Sequence, residues 1–94
     1  MGQGEEGFRD LKIELLPSAM KELGNLPHNI QRQIAVKINS LAKTPFPASC
    51  KVLRGENAYR LRSGDYRILY MVDKPSETVT VVKIRHRKDA YRNL

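Results

Sequence analysis

Apolar residues recur along the chain with two different periods, and the first of them is helical. A stretch that begins at Pro27 and ends at Thr44-Pro45-Phe46-Pro47 carries one apolar stripe at helical spacing. The stripe consists of Ile30, Ile34, Ile38 and Leu41. A shorter helix is predicted after Pro17, with apolar positions Ala19, Met20 and Leu23 and an end near Gly24-Asn25. Together the two segments predict a helical hairpin that packs through one face.

Beyond the loop at 45–55 the apolar period changes to two, which is typical of strands. Strands are expected near 57–62, 66–72 and 78–85, joined by two short turns that contain Ser63-Gly64-Asp65 and Asp73-Lys74-Pro75-Ser76. Turns of this length make neighbouring strands antiparallel. The pattern therefore predicts a three-stranded meander.

Two further elements complete the prediction. Leu11–Leu16 alternates at its start and is expected to form an N-terminal strand, whose place in the sheet the pattern leaves open. A short C-terminal helix is expected at 87–93, and a flexible tail at 1–9. The predicted fold is one α+β domain over 1–94, with a strand, a helical hairpin, an antiparallel β-meander and a last short helix.

Alternation along the strands assigns side chains to the two faces of the sheet. One face should pack on the helical hairpin, and it comprises Tyr59, Leu61, Ile68, Val82 and Ile84. The other face should expose five cations at one end, namely Arg60, Arg62, Arg67, Lys83 and Arg85. At its other end it should expose an apolar patch of Leu69, Met71, Val79 and Val81. Such a patch is typical of a protein–protein interface, and coverage by the N-terminal tail or the loop at 45–55 is the alternative.

Charge adds a preference for polyanions. Residues 1–50 have a net charge of +1 and residues 51–94 a net charge of +6, within a total of +7. A basic half attracts nucleic acid, and arginine forks match phosphate oxygens. A solvated cationic face without a ligand is the alternative.

Composition excludes several classes of protein. Cys50 is the single cysteine, so no internal disulfide is possible, and no cluster of metal ligands or glycine-rich phosphate loop stands out. We therefore expect no metal and no cofactor. The N-terminus is acidic and polar, and no apolar run is long enough to cross a bilayer. These features predict a cytoplasmic protein with no membrane partner.

His86 is the residue with the clearest chemical interest. It lies within IRHRKDAYR, among Arg85, Arg87, Lys88 and Tyr91. Cationic neighbours disfavour the protonated imidazole, which would leave a neutral ring able to accept a proton, although a structural histidine is the alternative. Arginines with a histidine and a tyrosine suit RNA cleavage by the substrate's own 2′-hydroxyl, which needs charge stabilisation and two proton transfers but no protein nucleophile.

Two segments resemble the RelE/ParE superfamily of bacterial and archaeal type II toxins. They are YRLRSGDYRILYMVD (59–73) and VVKIRHRKDAYR (81–92), and LPSAMKELGNLP (16–27) is similar to the first helix of that superfamily. The resemblance spans nearly all of residues 11–92. It implies a small toxin that a cognate antitoxin holds inactive. For the RelE branch it further implies entry into the ribosomal A site and cleavage of mRNA there.

The resemblance also implies roles for individual residues. Arg67 would bind phosphate and stabilise the transition state, and Arg60 would contact phosphate or transfer a proton. Arg85 and Arg87 compete for one role in the basic cluster, and Tyr91 matches its terminal tyrosine, which could stack on a base or join the proton transfer. The implied catalytic residues are Arg60, Arg67, Arg85, His86, Arg87 and Tyr91. The implied RNA-binding residues are Arg62, Lys83 and Lys88, and the residues expected to bind the antitoxin are Leu69, Met71, Val79 and Val81.

The superfamily leaves other readings open. Ala58 stands where some members have a further lysine, and the sequence has no clear acidic base of the kind used by other branches, although Glu56 is nearby. ParE-type toxins share the fold but inhibit DNA gyrase by protein binding, without nuclease activity. A member of the superfamily that only binds its antitoxin is a third reading.

Overall fold

The fold is a five-stranded mixed sheet with two helices on one face. The computed structural model describes residues 10–53 and 58–88. Its elements, in chain order, are β1 (Lys12–Leu15), α1 (Pro17–Gly24), α2 (His28–Ser40), β2 (Lys51–Val52), β3 (Ala58–Ser63), β4 (Tyr66–Asp73) and β5 (Thr78–His86). This architecture confirms the predicted α+β fold, with its N-terminal strand, helical hairpin and meander. The predicted tail at 1–9 and residues 89–93 of the predicted last helix lie outside the described residues.

The strand order is β1-β5-β4-β3-β2, so β4 is the central strand. The meander β3-β4-β5 is antiparallel, as its short turns require. The position of β1, which the sequence left open, is beside β5 in parallel register, from Lys12 opposite Thr78 to Leu15 opposite Val81. At the other edge the two-residue strand β2 lies within the predicted loop and pairs Lys51 with Arg60.

The start of α1 and the buried face of α2 both agree with the sequence prediction. Pro17 occupies the first turn of α1, where a missing amide donor costs nothing. In α2, Ile34, Ile38 and the following Leu41 are buried, which confirms the predicted stripe. No helix among the described residues combines the length and the apolarity that a bilayer crossing demands.

Met20 is the exception to the helical prediction, because its side chain is 62% exposed. Helix α1 has only eight residues and buries a narrow face along Ala19 and Leu23, which are four positions apart. Met20 follows Ala19 by one position and is therefore rotated about 100° away from that face. The prediction that Met20 packs in the hairpin core is wrong.

The core lies between the helices and one face of the sheet. Leu61, Ile68 and Ile84 are buried there, as the alternation predicted, and Tyr59 packs against them while half-buried. Tyr70 and Val72 extend the same face along β4. The two residues opposite them on β5, Val81 and Val79, do not follow the predicted alternation.

A one-residue bulge in β5 changes which side chains enter the core. Leu69 pairs with Lys83 but Tyr70 pairs with Val81, so Val82 is the extra residue. An inserted residue switches the faces of the side chains on either side of it. Val79 and Val81 are consequently fully buried, while Val82 is half-buried and outside the core cluster. The predictions that Val79 and Val81 form an exposed patch and that Val82 packs on the helices are both wrong.

The turn between β3 and β4 fixes the register of the cations. Ser63 pairs with Tyr66, which leaves Gly64 and Asp65 as a two-residue loop. Gly64 has a φ of 60°, whereas the φ of Asp65 is not positive. A positive φ at the first loop residue alone is the pattern of a type II′ turn, which requires glycine there. This turn sets Arg62 opposite Arg67.

Candidate functional site

The sheet face opposite the helices carries cations at neighbouring positions on four strands. The register places Arg62, Arg67 and Arg85 side by side on β3, β4 and β5. The adjacent row contains Lys51, Arg60, Leu69 and Lys83. We call the six basic residues of these two rows the cationic face. Directly opposed residues have Cβ atoms about 5 Å apart, so like charges on this face repel one another and an anionic ligand would relieve the repulsion.

Part of the cationic face forms a cleft of about 330 Å³, lined by Ser49, Lys51, Arg60, Arg62 and Arg67. Arg67 stands on the central strand and is only 6% exposed, although it points away from the helices. Arg62 is exposed and Arg60 half-buried, so basic groups are presented at different depths. The cleft therefore suits an anion such as a phosphodiester.

Ser49 and Lys51 are site residues that the sequence prediction missed. They belong to the segment between α2 and β3, which was predicted to be a loop, and a two-residue strand gives no detectable alternation. Lys51 joins the cationic face only because β2 pairs it with Arg60. Nothing in its local sequence indicates that pairing.

Aromatic contacts hold that segment against the sheet. The hydroxyl of Tyr70 donates a hydrogen bond of 2.8 Å to the carbonyl of Pro45. The Tyr59 ring stacks on Tyr70 with centroids 5.6 Å apart, and Phe46 meets Tyr59 edge-on at 5.0 Å. Burial, and a hydrogen bond with Cys50, raise the pKa of Tyr70 above its usual value of 10.0. The neutral hydroxyl thus fixes the start of the segment that supplies Ser49 and Lys51.

Arg85 completes the first row and is held from the helical side. Its Nε lies 3.2 Å from Oε2 of Glu22 on α1. Oε1 of the same carboxylate accepts the N–H of Ile84 at 2.8 Å. Arg85 is therefore tied to an element outside the sheet, while it shares a row with Arg67.

His86 lies on the opposite face from the cations. It stands across from Tyr66, and the two rings meet edge-to-face with centroids 5.2 Å apart. Successive residues of a strand point to opposite faces, so His86 is directed away from Arg85 and Arg67. The predicted cluster of His86 with the catalytic arginines is not formed, because the strand continues through residue 86.

The basic residues that follow β5 are separated from the cleft. Arg87 is exposed, with its Nε 3.8 Å from Oδ1 of Asp65 and its N–H donating to the Asp65 carbonyl at 2.6 Å. Lys88 is also exposed, and its N–H donates to Nδ1 of His86 at 3.3 Å. Of the two competing arginines, Arg85 is the one in the row of Arg67. Tyr91 and Glu56 lie outside the described residues.

The predicted apolar patch is smaller than expected. With Val79 and Val81 in the core, Leu69 and Met71 are the members that remain on the cationic side of the sheet. Leu69 is half-buried between Arg60 and Lys83, and Met71 is 44% exposed. Among the described residues, no group of three or more His, Cys, Asp or Glu side chains could hold a metal ion.

Comparison with known proteins identifies the class to which this sheet and its cationic face belong, a family of small toxins. The family described as "ParE toxin of type II toxin-antitoxin system, parDE" matches residues 13–91, and the chain belongs to this RelE/ParE superfamily. Toxin RelG of Mycobacterium tuberculosis is 31% identical over 83 residues, which cover 85% of this chain and 94% of RelG. The putative toxin RelE1 of Methanocaldococcus jannaschii is 29% identical over 85 residues, which cover 86% of this chain and 94% of that protein.

Solved structures agree with the sequence relatives. The toxin–antitoxin complex RelBE2 from Mycobacterium tuberculosis contains a chain of similar fold, with a TM-score of 0.75 and 27% identity; the match covers 84% of this chain and 93% of that one. A chain of the RelE–RelB complex from Pyrococcus horikoshii shares the fold at a TM-score of 0.72 and 24% identity, over 83% and 96% of the two chains. The resemblance to the RelE/ParE superfamily stated from sequence is thereby confirmed, and the chain is a toxin of that superfamily.

Proposed function

We propose that this toxin is a metal-independent, ribosome-dependent endoribonuclease that cleaves mRNA in the A site. The observation that carries the proposal is the row of Arg62, Arg67 and Arg85 across the three central strands, with the cleft beside it. Three guanidinium groups in one row provide a dense set of donors for phosphate oxygens. The relatives named RelG and RelE1 favour the RelE branch over a gyrase inhibitor.

The reaction uses a nucleophile that the RNA supplies. The 2′-hydroxyl attacks the adjacent phosphorus, the bond to the 5′-oxygen breaks, and the products are a 2′,3′-cyclic phosphate and a free 5′-hydroxyl. Negative charge grows on the phosphoryl oxygens in the transition state. Arg67, nearly buried at the centre of the row, is placed to stabilise that charge in surroundings with little water.

Proton transfer has fewer candidates. The lining of the cleft, as far as the structure describes it, contains neither a carboxylate nor an imidazole. Arg60 suits the leaving 5′-oxygen as a hydrogen-bond donor that stabilises its negative charge, but a guanidinium stays protonated and gives up no proton. The proton that completes the 5′-hydroxyl would therefore come from solvent water. Tyr91 remains our candidate for the attacking side. His86 is not assigned a proton, because it contacts Tyr66 on the other face.

The ribosome would provide what the toxin lacks. The cationic face is spread over four strands, and its cleft of about 330 Å³ has room for only a small part of an RNA strand. In-line attack requires the 2′-hydroxyl, the phosphorus and the leaving oxygen to be aligned, which contributes a large part of the barrier reduction. We propose that ribosomal RNA around the codon supports this alignment, and that Lys83, Lys88 and Arg87 contact that RNA. The cytoplasm is then the site of action.

We further propose that a cognate antitoxin covers the cationic face. The related RelBE2 chain was solved in a toxin–antitoxin complex. Leu69 and Met71 offer apolar contacts beside the cations, so an acidic segment with apolar residues fits this face. Because Val79 and Val81 are buried, they have no surface to contribute.

The decisive experiment compares substrates. The purified toxin is incubated with naked mRNA and with the same mRNA on ribosomes that hold an empty A site, and the 5′ ends are mapped. Cleavage on ribosomes with little cleavage of naked RNA is expected. Equal cleavage of both would overturn the ribosome dependence. An absence of cleavage together with inhibition of DNA gyrase supercoiling would establish the ParE-type reading instead.

A further inference from the structure

Strand β5 is flanked first by β1 and then, beyond Val81, by helix α1. The ladder between β1 and β5 ends at Leu15 and Val81, and the next contact is the Leu16 N–H to the Val81 carbonyl at 2.9 Å. From there α1 runs beside β5, where side chains replace strand hydrogen bonds. Ser18 Oγ donates to the carbonyl of Val82 at 3.1 Å.

Glu22 makes the last contact of this series. It stands four residues after Ser18 and hence on the same side of α1. Its Oε1 accepts the N–H of Ile84 at 2.8 Å, on the stretch of β5 that has no partner in β1. The carboxylate is thereby fixed against the β5 backbone one residue before Arg85.

The second oxygen of Glu22 is directed at Arg85. Its distance to Arg85 Nε is 3.2 Å, and both side chains are less than one third exposed, at 27% and 29%. The contact has the distance of an ion pair without the alignment of a hydrogen bond. A carboxylate at Nε leaves the two terminal nitrogens of the guanidinium for another anion, and these form the fork that grips phosphate in a bidentate manner.

Arg85 requires such a hold, because it faces Arg67 directly across the strands. Two guanidinium groups in this position repel each other, and an untethered Arg85 would turn away from the row. Glu22 offers the opposite charge from the far side of Arg85. It holds the arginine in the row without occupying the cleft.

We propose that Glu22 is a positioning residue that fixes Arg85 for contact with the scissile phosphate. This inference rests on the proposed nuclease function, in which Arg85 touches the substrate and Glu22 does not. Glu22→Gln is the sharpest change, because an amide oxygen still accepts the Ile84 N–H while the charge beside Arg85 is lost. Glu14→Gln is the matched control: it changes the net charge equally on β1, opposite Thr80 and far from Arg85.

The first measurement is single-turnover cleavage on ribosomes, with the ribosome concentration varied. Glu22→Gln should lower the maximal rate constant by about 10- to 100-fold, the scale of a misplaced catalytic group, with the half-saturating ribosome concentration nearly unchanged. In an Arg85→Ala background Glu22→Gln should have no further effect. Glu14→Gln should cleave like the wild type. An equal loss in both backgrounds would overturn the proposal, since Glu22 would then act independently of Arg85.

The second measurement does not depend on cleavage. The Nε–H signal of Arg85, identified by its loss in Arg85→Ala, is followed by NMR for hydrogen exchange and for its shift on addition of inorganic phosphate. We expect faster exchange and a smaller phosphate shift in Glu22→Gln than in the wild type and Glu14→Gln. Identical spectra in all three would overturn the proposal. The expected spectra together with a wild type that cleaves no RNA would refute the nuclease function, while the hold of Glu22 on Arg85 and on its phosphate contact would stay supported.

Discussion

Arg67 and Arg85 lie directly opposite each other on the central strand and its neighbour, two like charges in adjacent positions of one sheet. Arg62 lies on the other side of Arg67, so the central arginine has a cation on both flanks. Neither flanking residue contributes to the apolar core. Such an arrangement opposes stability and favours an anionic ligand. Substitutions in this row should therefore change activity more than they change folding.

Arg67→Ala should lower cleavage far more than stability. Loss of a donor aimed at developing charge costs about 10²–10³ in rate. The free energy of unfolding should fall by about 1–2 kcal/mol, because the side chain is only 6% exposed and its stem is packed, while relief of repulsion offsets part of that loss. Urea midpoints and single-turnover cleavage measure the two effects. Arg32→Ala, on the exposed part of α2, removes the same charge and should leave both unchanged; a large loss of stability in Arg67→Ala would show that this arginine supports the fold.

His86→Phe should cleave mRNA at close to the wild-type rate. The phenyl ring preserves the edge-to-face contact with Tyr66, and the imidazole is directed away from the cationic face. A general acid or base contributes about 10²–10⁴ in rate, so a measured loss of that size would restore His86 to the catalytic set. The cleavage assay on ribosomes decides whether His86 is catalytic.

Val81→Ala should destabilise the protein, whereas Met71→Ala should not. Val81 is fully buried, and removal of two methyl groups with the resulting cavity costs about 2 kcal/mol. Met71 is 44% exposed, so its truncation should change stability by no more than about 0.5 kcal/mol. Urea unfolding of both variants tests the bulge at Val82. Equal stability of the two variants would contradict the change of face that the bulge produces.

Gly64→Ala should cost about 1–3 kcal/mol of stability, because a residue with a Cβ is strained at the positive φ that the first position of a type II′ turn requires. No atom lies within 4 Å of the added Cβ, so the cost is confined to the backbone. Gly24→Ala is the matched control, since it also meets no atom, lacks a positive φ and ends α1. It should be neutral or should stabilise by up to about 1 kcal/mol. Thermal or urea unfolding of the pair isolates the conformational term.

Tyr70→Phe should change how stability depends on alkaline pH. The pKa of Tyr70 is raised in the folded state, so its stabilising contribution is complete below the ordinary value of 10.0 and is lost as the pH rises above it. At pH 7 the variant should lose about 1 kcal/mol with the hydrogen bond to Pro45. Between pH 9 and about 11 its stability should fall less steeply than that of the wild type. If the urea midpoints of the variant and the wild type fell equally with pH over this range, the raised pKa of Tyr70 would be contradicted.

Periodicity alone predicted the helices, the meander and the sheet face that packs on them. It succeeded for Leu61, Ile68 and Ile84 because burial against two helices imposes a strict pattern on the strands. It failed at Val79 and Val81, since a bulge changes the face without any local mark in a run of β-branched residues. The prediction that Met20 is buried failed for a related reason, because the width of a helix's buried face depends on the elements that pack against it.

The site was predictable where it lies on long strands. Arg60, Arg62, Arg67, Lys83 and Arg85 share a face through alternation on their own strands, and the register brings them together. His86 was misplaced because its neighbours in sequence were taken as neighbours in space. Lys51 reaches the site only because the edge strand β2 pairs with β3. Glu22 reaches it only because α1 lies along the edge of β5. Neither contact is encoded by a short-range pattern in the sequence.

The parallel pairing of β1 with β5 bears on how the toxin emerges during translation. Residues 12–15 are made early, yet their strand partner at Thr78–Val81 is made only after the helices and the rest of the sheet. Such long-range pairing delays folding, because the chain between the two strands must be complete before either edge is satisfied. The ion pair of Glu22 likewise cannot form until Arg85 has been synthesised. The arginine row therefore cannot be complete on the nascent chain until synthesis has passed residue 85.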